Sequence, residues 1–531
     1  MAAPLHILVL GAAPHAQEWR AAGHAVTVVA AGPLRAAWRT WRGEGRDADV
    51  VVEVVGRHAY LSPLWGWIDA PRVVSDDREG GLLARLYRPL LYGDTRMVAS
   101  PTLADLEDAA RGDRVRVREA VARSETAKAA GLAAATLGSN AIGLLFTIAF
   151  TRLLGVTDYG SLAVLVSAFL ILLVAGSAVQ VAAARETALG NLGDGRRLSG
   201  TLSDWGRRVG LTLVIVTALS VAARRPIAEI VGVPEHEWGA AGILPIGVLW
   251  LGLCLQRGVL QGLHAYAPVA RSLVGEAAGR LLCSLALVAA GAGVTGAYLG
   301  QALAFALTSA WLWRVLRRRL GPPADHERHR LLTLFGDNWR PMAALAMLGA
   351  LQNVDVIVVK HQLGSPRAGS YAAAAVAAKT SVWVAIGIGL HLLPEATRRA
   401  AAGLDPRPVL VRALQIAAIV AVPALLIFAA VPRLVLRVAF GEEYTNAAGA
   451  LVVLGAAMVL LAISYLTVQY LIALGRGGFL WILGVVALVE PLVLFAGDFS
   501  LLTFALIVLA LQAVATAGLV ALGLFGRGAA R

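Results

Sequence analysis

Hydrophobic and polar positions divide the chain into two stretches with different rhythms. Up to about residue 120, short β-branched runs (His6–Leu10, Val26–Ala30, Val50–Val55 and Arg72–Ser75) alternate with polar or helical segments. That is the pattern of a parallel α/β sheet. The first apolar run, Ile7–Leu10, is too short for the core of a signal peptide and strand-like alternation follows it, so no signal peptide is expected. Arg111–Lys128 is a charged connector rich in Arg and Glu.

After Lys128 the apolar blocks lengthen to about the 20 residues that cross a hydrocarbon core as a helix. About twelve spans are predicted, near 129–150, 160–183, 207–223, 240–258, 270–291, 294–315, 341–361, 370–392, 409–431, 447–474, 479–496 and 500–525. Within them a motif recurs. Leu154-Gly155-Val-Thr-Asp-Tyr-Gly160-Ser161 follows the first span and Leu363-Gly364-Ser-Pro-Arg-Ala-Gly369-Ser370 follows the seventh, both reading Leu-Gly-x4-Gly-Ser. Leu260-Gln-Gly-Leu-His-Ala-Tyr and Leu471-Ile-Ala-Leu-Gly-Arg follow the fourth and tenth. An even number of spans per half keeps the halves in one orientation, so they are parallel repeats with a substrate site between them.

The expected fold is therefore an all-α polytopic membrane protein, about twelve transmembrane helices in two parallel six-helix lobes, behind a small α/β Rossmann-like domain. The expected boundaries are 1–120 for the cytoplasmic α/β domain, 121–128 for the connector, 129–320 for the first lobe, 321–340 for a basic linker and 341–531 for the second lobe.

Composition agrees. The chain is 58% hydrophobic and 15% charged, with a mean hydropathy of +0.69, whereas soluble domains carry about 25% charged residues. The net charge of +13 reads as arginine in cytoplasmic loops rather than as a nucleic-acid surface. With the N-terminus inside, loops on that side hold roughly three times the Lys and Arg of those outside, as the positive-inside rule demands. Both termini then face the cytoplasm. Cys254 and Cys283 lie in apolar segments and suggest neither a disulfide nor a metal site, and no Gly-x4-Gly-Lys-Ser/Thr loop for ATP occurs.

Several of these segments carry a resemblance. Thr151-Arg152-Leu-Leu-Gly-Val-Thr-Asp-Tyr159-Gly160 resembles the first hairpin of Wzx-type polysaccharide flippases, in the multidrug/oligosaccharidyl-lipid/polysaccharide (MOP) superfamily. Gln261-Gly262-Leu-His-Ala-Tyr266, followed by Glu276 and Arg280, is similar too. Asn353-Val-Asp355-Val-Ile-Val-Val-Lys360 with Gly369-Ser-Tyr371 resembles the start of that family's second half, and Gly441-Glu-Glu-Tyr444 the loop before its tenth helix. The resemblance covers about residues 128–525. It implies a bacterial inner-membrane flippase, not an enzyme and without a cofactor. Such a protein moves polyprenyl-diphosphate-linked oligosaccharide to the outer leaflet by alternating access, for cell-surface polysaccharide assembly. Its implied partners are membrane lipids, the lipid-linked glycan, and cytoplasmic glycosyltransferases or polysaccharide-assembly proteins, with no nucleic acid. Leu5-His-Ile-Leu-Val-Leu-Gly11, Trp19 and Gly23-His-Ala-Val-Thr-Val-Val29 resemble the opening βα unit of GT-B glycosyltransferases, but the donor-binding half has no room. A binding or regulatory role is expected of this domain, and Asp47-Ala-Asp49 is discounted as a chance Asp-x-Asp.

Moving a pyrophosphate head across about 30 Å of hydrocarbon requires cations inside the membrane. Guanidinium and ammonium groups suit the diphosphate. Lys379 in the eighth span and Arg280 in the fifth are the leading substrate-binding candidates, with Glu276, Asn353 and Gln352 beside them. Glu276 and Arg280 also form an i,i+4 pair that would hide both charges. Asp355 is a candidate to pair with Lys379 or to hold a coupling proton or sodium ion, and Glu490, before Pro491, to face a cavity or kink. Arg152 and Lys360 end the first helices of the two halves, where snorkelling to the interface is expected. Asn140, Gln352 and Asn353 also read as interhelical hydrogen-bond glue, and His391 and Glu395 as residues at a wet helix end. Two rival readings stand beside this one: an ion-coupled multidrug exporter of the same superfamily, and a membrane glycosyltransferase or polymerase. The first needs acidic cavity residues and the second a sizeable acidic outside loop.

Overall fold

The computed structural model describes residues 4–10, 15–30, 33–44, 47–54, 72–75, 96–98, 102, 104–107, 125–325, 339–380, 382, 385, 392, 396–400 and 404–525. It divides into two compact units, Met1–Ala134 and Ala135–Arg531.

The first unit is built on five parallel strands: β1 (His6–Leu10), β2 (Ala25–Val29), β3 (Val50–Val54), β4 (Arg72–Ser75) and β5 (Arg96–Val98), in the order β2-β1-β3-β4-β5. The strand period of two explains why β1 is apolar at successive positions. Ile7 and Val9 join Val50, Val52 and Val73 on one face, under Trp19 of helix α1 (Ala16–Ala21). Leu8 and Leu10 join Val29 and Val51 on the other, under Ala36 of helix α2 (Pro33–Trp41). Asp49 accepts a hydrogen bond from the His6 amide at 2.9 Å, so this carboxylate braces the start of β1.

The second unit is helical. The first two spans form one element, α3 (Glu125–Ala188), bent at Gly155. There follow α4 (Arg196–Ala222), the short α5 (Arg224–Val231), α6 (Ile243–Gly262), α7 (Tyr266–Leu287) and α8 (Gly293–Leu320). The second lobe holds α9 (Trp339–Leu363), α10 (Ser365–Ala378), α11 (Arg407–Ala430), the short α12 (Pro432–Ala439), α13 (Ala448–Ala473), α14 (Phe479–Phe495) and α15 (Leu501–Phe525). Among the described residues eight stretches are long and apolar enough to cross a membrane. Two of these contain two spans each, one broken at Gly155 and the other by the π-helical turn Val288–Ala292. The shorter α14 adds another, and α10 opens the span whose remainder falls largely outside the described residues.

The two lobes repeat each other in detail. Gly155 (φ 72°, ψ 175°) and Gly364 (φ 75°, ψ 173°) adopt the same left-handed, extended conformation, one that side-chain-bearing residues avoid. Each turns the chain with a single residue. The Leu-Gly-x4-Gly-Ser segments therefore form no extended loop, because the next helix starts directly after the glycine. We call this end of the bundle the hairpin end. The same shift in numbering carries Gly232 (φ 86°), which ends α5, to Gly441 (φ 125°), which follows α12. Within the first lobe, Gly258 and Gly262 let α6 press against the carbonyls of Gln180 and Ala184, the small-x3-small contact of membrane helices.

Candidate functional site

Polar side chains gather at three places in the membrane unit. In the second lobe, Asn353, Asp355, Lys379 and Glu490 are all buried. Lys379 donates to Asn353 Oδ1 at 3.0 Å, and Tyr371 donates to Asp355 Oδ2 at 2.9 Å. Asp355 and Lys379 interact electrostatically but form no ion pair, so the expected direct pairing gives way to an amide partner for the lysine. Glu490 accepts from Gln512 Nε2 at 3.3 Å and lies within the field of Asp355. Asp355 Oδ1, Glu490 Oε1 and Gln512 Oε1 are buried without hydrogen-bond partners. Three orphaned acceptors around two carboxylates form a site that a proton or a small cation would satisfy. Gln352 is half-buried and takes no part, and Asn140 is exposed, so of the three glue candidates only Asn353 bridges helices.

In the first lobe, the expected i,i+4 pair does not form. Glu276 is taken by Arg257 of α6, whose Nη2 reaches its Oε2 at 2.8 Å. Arg257 also donates to Ser272 Oγ at 2.9 Å and to the Ser272 carbonyl at 3.0 Å. Arg257, one residue from the end of the predicted span 240–258, is fully buried. The run Gly258-Val-Leu-Gln-Gly262 after it is close-packing chemistry that belongs inside a helix and is the signal that marks it as internal. Arg280 is left over. Its guanidinium lies 5.0 Å above the Phe146 ring, and its buried Nε has no hydrogen-bond partner.

The third group joins the lobes at the hairpin end. Lys360 does not snorkel: it is buried and donates to Ser161 Oγ at 2.9 Å and Glu235 Oε1 at 2.8 Å. Tyr444 donates to the Thr151 carbonyl at 2.8 Å and meets Tyr159 edge-on at 5.9 Å. Arg152 reaches the Val438 carbonyl at 3.0 Å, and His361 Nε2 lies 2.9 Å from the Ile230 carbonyl. Gly160 is buried beside Tyr159, and Gly369 packs directly on the Val156 carbonyl, where no side chain fits. Glu235 was missed, although it stands three residues after Gly232 as Tyr444 stands after Gly441. His391 and Glu395 lie outside the described residues, as do 326–338 of the expected basic linker. A shallow depression of about 500 Å³ lined by Asp405, Arg407, Arg412 and Gln415 involves none of these groups.

Residues 126–390 match the family model described as polysaccharide biosynthesis protein. This part of the chain belongs to that family. The MOP-superfamily fold is shared with solved structures. An inward-facing multidrug resistance MATE family transporter gives a TM-score of 0.62 at 13% identity, covering 72% of this chain and 93% of the other. The lipid II flippase MurJ, inward closed, gives 0.59 at 13% identity, covering 73% and 86%. An outward-facing MATE family transporter gives 0.53 at 15% identity, covering 75% and 94%. No curated protein matches the chain. Seen as a polysaccharide biosynthesis family member, the chain is a multi-pass membrane protein whose buried Arg257 and Lys379 and half-buried Arg280 all lie within the matched residues.

Proposed function

We propose that the protein is a flippase of the bacterial inner membrane that moves polyprenyl-diphosphate-linked oligosaccharide from the cytoplasmic to the outer leaflet, with both termini in the cytoplasm. One observation carries the reading. Arg280 is an intramembrane guanidinium without a hydrogen bond among the described residues, because the neighbouring carboxylate of Glu276 is committed to Arg257. A half-buried guanidinium whose Nε is fully enclosed and unbonded gains from a counter-charge that arrives with a ligand, and diphosphate is an anion suited to it. Lys379, polarised by Asn353, is the second cation on the route, and Gln352 is a sugar-facing candidate beside it.

The repeat supports alternating access. The bonds Lys360–Glu235 and Tyr444–Thr151 close the hairpin end, and the arginine distribution supports reading this as the outer end. The resemblance to the inward-facing transporter over the outward-facing one supports an inward-open state. Opening those bonds and closing the arginine-rich end presents the same cations to the outer leaflet. A head group of two negative charges leaving a negative-inside cell gains roughly 4–5 kcal/mol at 100 mV. Asp355 and Glu490 add ion coupling by binding a proton or sodium ion.

These carboxylates also favour a second reading, export of a cationic drug coupled to ions. Cells lacking the protein separate the two. The flippase reading expects lipid-linked oligosaccharide to accumulate on the cytoplasmic leaflet, rescued by the wild type but not by Arg280→Ala or Lys379→Ala. Unchanged oligosaccharide with raised sensitivity to cationic drugs would favour the exporter.

A further inference from the structure

We infer that helix α2 of the first unit docks on the surface of an anionic lipid bilayer through Trp38 and Trp41. The helix has two unlike sides. Ala36 and Thr40 are fully buried against the sheet, and the Thr40 hydroxyl is satisfied within the helix by the Ala36 and Ala37 carbonyls at 2.9 and 3.0 Å. On the opposite side Trp38 is 52% and Trp41 61% exposed, with Arg35 and Arg42 exposed next to them. The unit has a core adequate to bury an indole, since Trp19 is 3% exposed in it. Two exposed indoles on one helix thus mark a surface whose partner is elsewhere.

Charge selects that partner. From Trp19 to Gly43 the chain holds Arg20, Arg35, Arg39 and Arg42 and no carboxylate. Arg39 is engaged by Glu44 at 2.7 Å, and Arg42 stacks on the Trp38 ring at 4.0 Å, leaving its outer edge for an acceptor. Tryptophan settles at the boundary between hydrocarbon and headgroups, and arginine beside it bonds lipid phosphate. The second unit uses the same pairing where its apolar spans end: Arg224 stacks on the exposed Trp238 at 5.0 Å, and Arg340 on the exposed Trp339 at 5.7 Å. The first unit is covalently continuous with those spans, so a bilayer is the surface its exposed indoles meet at high effective concentration. The inference stands whatever cargo the spans carry.

The test uses the full chain in nanodiscs, with Cys254 and Cys283 replaced by Ala and a single nitrobenzoxadiazole label introduced by Trp38→Cys or, as a control on α1, Glu18→Cys. The label at 38 should shift to the blue and be quenched by doxyl-labelled lipid in discs containing phosphatidylglycerol, while the label at 18 stays open to iodide. Adding Arg35→Gln and Arg42→Gln should lower the ratio of docked to undocked label roughly 25-fold, about fivefold for each arginine, as should replacing phosphatidylglycerol by phosphatidylcholine. Two results would overturn the proposal. One is a label at 38 as open to iodide as that at 18. The other is a label shielded from iodide yet untouched by doxyl lipid, which would assign α2 to a protein surface.

Discussion

Lys360 meets Glu235 at 2.8 Å across the lobe boundary, at the position where the repeat places Thr151 opposite Tyr444. The numbering shift that relates Gly155 to Gly364 also carries Thr151 to Lys360 and Glu235 to Tyr444. The two lobes therefore hold each other at the hairpin end by two symmetry-related contacts, one an ion pair and the other a neutral hydrogen bond to a carbonyl. Such contacts contribute about 1 kcal/mol each, enough to bias a two-state equilibrium without locking it.

Lys360→Met should therefore shift the protein towards the state open at the hairpin end by about fivefold. Spin labels at the exposed positions Glu229 and Arg367, one in each lobe, report the separation. A longer distance gaining population is expected, and an unchanged distribution would show that the contact has no part in closure.

Gly369→Val tests the same closure by shape. Its side chain would occupy the place of the Val156 carbonyl, so the lobes could not meet at this end. Transport should fall by at least tenfold, with the label pair fixed at the longer distance and thermal stability little changed. Transport at the wild-type rate would contradict the packing described.

Arg257 and Arg280 should separate structure from function. Removing Glu276 with Glu276→Ala leaves the fully buried Arg257 without its carboxylate, and loss of one partner of a buried pair costs about 3–5 kcal/mol. Arg280→Ala removes a guanidinium that bonds nothing among the described residues, so thermal unfolding in detergent should change far less while transport is lost. Equal destabilisation by both would return Arg280 to a structural role.

Asp355 and Glu490 carry the coupling prediction. Asp355→Asn and Glu490→Gln keep the shape and the Tyr371 and Gln512 contacts but remove the charge. Transport driven by an ion or proton gradient should drop to the level that the membrane potential alone supports. A variant retaining the full gradient response would exclude that carboxylate from coupling.

Most of the architecture was legible in the sequence because its causes are local. Long apolar blocks, strand-length β-branched runs and paired Leu-Gly-x4-Gly-Ser segments each determine their own geometry, and four of the five strands fall within a residue of the positions expected. Partner choice is not local. Glu276 had two arginines within reach, and only the close approach of α6 and α7 decided for Arg257 over its own helical neighbour Arg280. Lys360 looked like a snorkelling lysine because its carboxylate stands in the other lobe. The fused α/β unit was legible as a fold and least legible as a function, since its exposed indoles matter only in relation to a surface outside the chain.

The most direct measurement of the central claim uses purified protein in liposomes loaded on one leaflet with a polyprenyl-diphosphate oligosaccharide, read by lectin access from the opposite side. Wild-type protein should carry the lipid across, and Arg280→Ala should reduce the rate to that of protein-free liposomes while remaining folded. A rate with wild-type protein equal to that of empty liposomes, or transport undiminished in Arg280→Ala, would contradict the account.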